Sequence, residues 1–176
     1  KPQDNSVLSK ADRKYLPKDF NPIFERYTQH NLLSEKTKSK NEILGKPVTI
    51  NGKQLSDYGL QLKQLANILS THGLDVKVRV ADDSLSDETI RKELVGNLQT
   101  VGDYVLVNYS REVLGQGKIG HISPIGAYDK DSDSFLILDV NPNTSKWVWV
   151  STKDLIAAMR TFDTIENRGY LLVKDL

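Results

Sequence analysis

The stretch "GHISPIGAYDKDSDSFLILDV", residues 120–140, decides how this chain is read. Two apolar runs flank the polar cluster "DKDSD" at 129–133, so strands are expected at 120–128 and 134–140, joined as one β-hairpin. A turn centred at residue 130 or 131 sets His121 opposite Asp139 or one step diagonal to it. In either case both side chains point to one face, because side chains alternate with period two; a slip of one residue would separate them. On a shared face, an Asp accepts from one ring nitrogen of a His and leaves the other for proton transfer. A His and an Asp paired for structure alone would show the same spacing, and the spacing leaves both readings open.

Working outward, the 176 residues fit one α+β domain with a real core. Charged residues make up 27% of the chain and the net charge is +1, which offers nucleic acid no basic surface. The basic run "KTKSK" (36–40) reads as a solvated loop. No apolar run approaches the ~18 residues a membrane span needs, and no signal peptide is visible. The first residue is Lys1 rather than Met, read here as the sign of something removed upstream. There is no cysteine, so disulfides and thiolate metal sites are excluded. His30, His72 and His121 stand alone, without a second His at ligand spacing, so no protein metal site is expected.

Residues 1–19 read as an arm or loop, 22–33 as a short helix, and 34–54 as loop with a turn at "NGK" (51–53). A helix is predicted over 56–73, capped by Ser56 and ended by Gly73, followed by a strand through Val76, Val78 and Val80. A second helix is predicted over 86–100 with Ser86 as cap, then strands near 103–109, 120–128, 134–140 and 146–150. A third helix over 151–163 opens on Ser151 and Asp154, and a last strand covers 169–174. Helices first and a meander later argue for one sheet with helices packed on it. "GQGKIG" (115–120) matches the dinucleotide pattern G-x-G-x-x-G, yet those glycines must open a helix, and here they lead into "HISPIGAYD". They are expected to form a flexible loop bordering a cleft beside His121.

The segment "YVLVNYSREVLGQGKIGHISPIGAYDKDSDSFLILDVNPNTSKWVWV" strongly resembles the phytochelatin synthase family, in its short bacterial form, through "GHISP" (120–124), "DSFLILDV" (133–140) and "WV" (149–150) in the family's order. "EKTKSKNEIL" upstream and "AAMRTFD…NRGYLLV" downstream extend the resemblance to roughly Tyr27–Leu176. It implies a single domain over 1–176 with a papain-like fold, an antiparallel sheet or half-barrel with packed helices, and a Cys-His-Asp triad in which His121 is the general base and acid and Asp139 orients it. The family's nucleophilic Cys belongs to an amino-terminal motif like "Q-x-x-Q-A-Y-C-G", and nothing in residues 1–26 matches. The expectation is that the chain lacks the family's first segment, with the Cys on a separate amino-terminal fragment; a Cys-less relative is the alternative. "PNTSKW" (142–147) departs from the family's aromatic and proline-rich loop, and no Cys-rich tail follows Leu176.

The resemblance further implies thiol attack on the Cys–Gly bond of glutathione, release of Gly, and a γ-glutamylcysteinyl thioester that goes to water or to a second glutathione, with hydrolysis favoured in short members. Asp163 and Arg168 would grip the γ-glutamyl zwitterion, with Glu166 able to replace Asp163. Gly120, Ile122 and Tyr109, around the histidine, would contact substrate. No catalytic cofactor is implied. Heavy-metal ions such as cadmium or zinc enter as metal-thiolate substrates, in a setting of heavy-metal detoxification. The setting is a soluble protein of the bacterial cytoplasm or periplasm, with a homodimer open. A Cys-less module binding glutathione-like peptides and a papain-like peptidase of other specificity are the competing readings.

Overall fold

The computed structural model describes residues 60–140 and 147–175, and the backbone of two short strands before them. Those strands, β1 (Pro47–Ile50) and β2 (Lys53–Ser56), pair antiparallel with Ile50 opposite Lys53. The expected turn at "NGK" (51–53) falls mostly outside the described residues; the two four-residue strands are too short to show a period, and the expectation of loop over 34–54 is corrected there. The expected arm at 1–19, the helix at 22–33 and most of the loop at 142–147 lie outside the described residues.

The main body follows as α1 (Leu62–Ser70), β3 (Leu74–Val80), α2 (Asp87–Leu98), β4 (Asp103–Ser110), β5 (Gly120–Asp129), β6 (Ser134–Ile137), β7 (Val148–Ser151), α3 (Thr152–Met159) and β8 (Gly169–Asp175). The last six strands form one open antiparallel sheet in the order β3-β8-β4-β5-β6-β7. The protein is α+β, as its element pattern predicts.

Each helix sits where its caps and apolar face put it. Ser86 accepts from the Thr89 backbone amide at 3.1 Å and Ser151 from that of Asp154 at 3.1 Å, so both predicted caps are in place. The first helix differs from its prediction. Ser56 pairs with Pro47 in β2 and cannot also cap, and the helix begins instead at Leu62, where the Gln64 side chain accepts from the Gln61 amide at 2.9 Å. Gly73, with φ at 78°, turns the chain out of it. The third helix stops at Met159 rather than 163. The Arg168 amide bonds the Thr161 carbonyl at 3.0 Å and the Asp163 amide that of Glu166 at 2.8 Å, bending 161–168 into a corner.

The sheet is covered on both faces. Leu62, Leu65 and Ala66 of α1 pack on Leu171 and Val173 of β8. On the other face Ile90 and Leu94 of α2, and Leu155 and Met159 of α3, pack on Val105, Val107 and Tyr170. The central strands β4 and β8 therefore read as continuous apolar runs rather than alternating ones.

Gly169, at the start of β8, has no room for a side chain. A Cβ there would stand 2.0 Å from the Arg79 carbonyl oxygen, a backbone atom that no rotamer change can move aside. Gly169→Ala is expected to destabilise the fold by about 1–3 kcal/mol or more. Chemical denaturation reads this directly, and an unchanged midpoint would mean that β3 and β8 lie farther apart than described.

Candidate active site

His121 and Asp139 come together: Nε2 of His121 lies 3.1 Å from Oδ1 of Asp139. The route to this contact is less direct than a plain hairpin. Near the turn, Asp129 pairs with Ser134 and Tyr128 with Phe135, while farther out Ile125 pairs with Ile137. The first register, carried outward, would set Asp139 opposite Pro124 and turn it away from His121. Gly126 is the extra residue of a β-bulge between Ile125 and Ala127, and it advances the register by one. Asp139 thereby falls on the face of Ser123 and His121. β6 ends at Ile137 rather than 140, and one further bond, from the Leu138 amide to the Pro124 carbonyl at 2.9 Å, carries the chain to Asp139.

The pair rests on a third residue that sequence reasoning missed. Arg111, just past β4, forms an ion pair through Nη2 with Oδ2 of Asp139. Both side chains are buried, at 3% and 1% exposure, whereas the imidazole keeps 19%. A signal was available: Tyr109 and Arg111 are two apart at the end of an apolar strand, and Tyr109 pairs directly with His121. The Tyr109 ring meets the imidazole edge to face with centroids 6.0 Å apart.

The electrostatics favour a neutral imidazole. Burial holds the His121 pKa below its usual value, the Arg111 charge pushes the same way, and Asp139 opposes them only in part. A carboxylate only accepts, so Nε2 carries the ring proton and Nδ1 is the nitrogen left to take up another. Burial, with the Asp139 charge, raises the pKa of the Tyr109 phenol. The buried Ser123 hydroxyl beside it opposes that shift.

Asp163 and Arg168 also meet, Arg168 Nη2 standing 3.1 Å from Asp163 Oδ1. Arg168 Nη1 donates to the Thr161 hydroxyl at 3.0 Å and to the Phe162 carbonyl at 2.6 Å, and Asn108 Nδ2 donates to Asp163 Oδ2 at 3.0 Å. This cluster closes the corner before β8, and Arg168 Nε stays without a partner among the described residues. Glu166 instead reaches Lys63 on α1 at 2.6 Å. Asn108 pairs with Ile122, whereas Tyr109 pairs with His121, so the two clusters lie on opposite faces at one end of the β4–β5 ribbon. Ile122 likewise turns away from His121 and packs on the cluster beneath α1. Gly120 lies on the Arg168 face: a Cβ there would come within 2.8 Å of the guanidinium.

The loop from 111 to 119 enters β5 at Gly120 with no helix, so the dinucleotide pattern is a coincidence of glycines. Gly115 and Gly117 have φ of 69° and 113°, and the Arg111 carbonyl accepts from Leu114 at 3.1 Å and Gln116 at 2.8 Å. Among the described residues no group of His, Asp or Glu is arranged to hold a metal ion, and no helix is long and apolar enough to cross a membrane.

The phytochelatin synthase family model matches residues 15–170. The chain belongs to the phytochelatin synthase family. It is 28% identical over 120 residues to the glutathione gamma-glutamylcysteinyltransferase of Schizosaccharomyces pombe, an alignment covering 67% of this chain and 29% of that one. It is 31% identical over 121 residues to glutathione gamma-glutamylcysteinyltransferase 2 of Arabidopsis thaliana, covering 68% and 26%. Glutathione gamma-glutamylcysteinyltransferase 3 of Lotus japonicus is also 31% identical over 121 residues, covering 67% and 25%. This phytochelatin synthase family chain thus spans less than a third of the length of these relatives, all of them named as enzymes.

Because the folded state lowers the His121 pKa, it disfavours the protonated ring. The stability contributed by this group is whole above the unfolded value of about 6.5 and is lost as pH falls through it toward the lower folded value. Denaturation midpoints should therefore drop as pH falls below about 6.5. His121→Gln should flatten that slope, and equal slopes in the two proteins would refute the neutral imidazole.

Proposed function

We propose that this chain forms the His–Asp half of a thiol acyltransferase or hydrolase that cleaves the Cys–Gly bond of glutathione. The observation that carries the reading is the His121–Asp139 hydrogen bond, backed by a buried arginine, in a chain of this family. The fold is taken to be papain-like, and the described α+β sheet is consistent with that.

In the proposed reaction, Nδ1 of His121 takes the proton of a cysteine thiol. The chain holds no cysteine, so the thiol comes from outside these 176 residues. The thiolate attacks the cysteinyl carbonyl of glutathione, and the C–N bond to Gly breaks as the imidazolium returns its proton to the departing amine. The γ-glutamylcysteinyl thioester is then attacked by water, giving γ-glutamylcysteine, or by the amine of a second glutathione, which extends the peptide. Metal ions enter only as thiolate complexes of the substrate. The γ-glutamyl end carries one α-amino and one α-carboxylate group, which suits the acid and base of Asp163 and Arg168, reached past the bare backbone of Gly120. Tyr109 buttresses the imidazole ring from within the core, and its full burial corrects the expectation that it contacts substrate.

The lack of cysteine favours a second reading, a module that binds γ-glutamyl peptides without cleaving them. The two separate when an amino-terminal segment carrying the family's Cys motif is supplied, fused or in trans, and Gly release from glutathione is measured. Release that His121→Ala abolishes supports the enzyme, and binding without release supports the module.

In the cysteine-complemented protein, Arg168→Lys is expected to raise KM for glutathione and to erode the preference for γ- over α-linked substrate. The loss should correspond to about 1.5–3 kcal/mol, typical of a hydrogen bond to a charged group. Kinetics with both linkages checks this. Unchanged KM and preference in Arg168→Lys and Asp163→Asn alike would remove this cluster from the substrate site.

A further inference from the structure

Arg111 does two things with one residue. Its side chain meets Asp139 on the face of the sheet that holds His121. Its backbone closes the loop that leads into His121, since its amide donates to the Ile119 carbonyl at 2.9 Å and its carbonyl accepts from Leu114 and Gln116. An Asp held only by an imidazole can rotate about its last side-chain bond. Here Oδ2 is taken by a guanidinium and Oδ1 by the ring, so the carboxylate has one orientation. We propose that Arg111 is a positioning residue, which fixes the Asp139 carboxylate against Nε2 of His121 and so aims the opposite ring nitrogen at the nucleophile. This rests on the reading of His121 and Asp139 as the proton-transfer pair.

The charge balance has a consequence that a packing role alone would not. Among the described residues, the titratable and charged groups facing the ring are Tyr109 from β4, Arg111 just beyond it, and Asp139 after β6. Arg111 and Asp139 cancel, so a protonated ring would leave a net positive charge in a mostly buried cluster. With Arg111 neutralised, the carboxylate alone would face the ring and draw a proton onto it.

The test is a nuclear magnetic resonance titration of the His121 imidazole nitrogens in the protein and in its variants, which requires no turnover. Arg111→Gln should raise the His121 midpoint by about one pH unit or more. Arg111→Lys, which keeps the charge but not the planar guanidinium, should leave the midpoint near that of the parent while the Nε2 proton exchanges faster with solvent. If Arg111→Gln does not fold, the Arg111→Lys exchange measurement decides alone. A folded Arg111→Gln with an unmoved midpoint, or an Arg111→Lys with unchanged Nε2 exchange, would reduce Arg111 to a structural ion pair and overturn the proposal. Absence of glutathione cleavage in the cysteine-complemented protein would instead strike at the acyl-transfer reading and leave the titration result standing.

Discussion

The ion pair between Arg111 and Asp139 is the interaction on which the site depends. Two opposite charges are withdrawn from water at the end of the sheet, and each offsets the burial of the other. Removing one partner of such a pair leaves an uncompensated buried charge, at a cost of about 3–5 kcal/mol. Around it the chain makes three commitments. β4 must end where Arg111 turns inward, the loop from 111 to 119 must close on the Arg111 backbone, and β6 must stop at Ile137 so that Asp139 can reach both the guanidinium and the imidazole. The histidine is the most exposed of the three.

A second polar assembly stabilises the far end of the same hairpin. Asp133, the sole non-glycine residue with positive φ among the described residues, accepts from Tyr128 at 2.8 Å, from Thr152 at 2.7 Å and from Arg91 at 2.6 Å. Through it the turn between β5 and β6 is tied to the second turn of α2 and the start of α3. The hairpin is therefore held at both ends, by Asp133 at the turn and by Asp139 at the mouth, while Phe135 and Ile137 between them fill the core.

Much of this was legible in the sequence because periodicity and caps are local signals. Ser86 and Ser151 mark their helices, Gly73 ends another, and the alternation around "GHISP" and "FLILDV" puts His121 and Asp139 on one face. A turn centred on residue 131 describes the outer register, but the pairing next to the turn is centred half a residue later, and a glycine in a strand only hints at the bulge that reconciles them. Arg111 escaped because a single charged residue after an apolar strand looks like a strand end at the surface; only the fold shows that Asp139 waits for it. The opposite placement of Asp163 and Arg168 escaped for another reason. Residues far apart in sequence share a face or not according to the register between paired strands, and here Asn108 rather than Tyr109 stands opposite Gly169 at the start of β8.

The bulge at Gly126 divides the hairpin into parts that tolerate change in length differently. Within the arms, between Ile125 and Asp129 or between Ser134 and Leu138, one residue gained or lost inverts the parity of everything beyond it and carries His121 away from Asp139. Two residues restore it. In the connection from Lys130 to Asp133 the parity of the arms is indifferent to length, and what a change threatens there is the anchorage of Asp133. The chain thus carries a reading frame of its own at this place, with a period of two and one built-in frameshift.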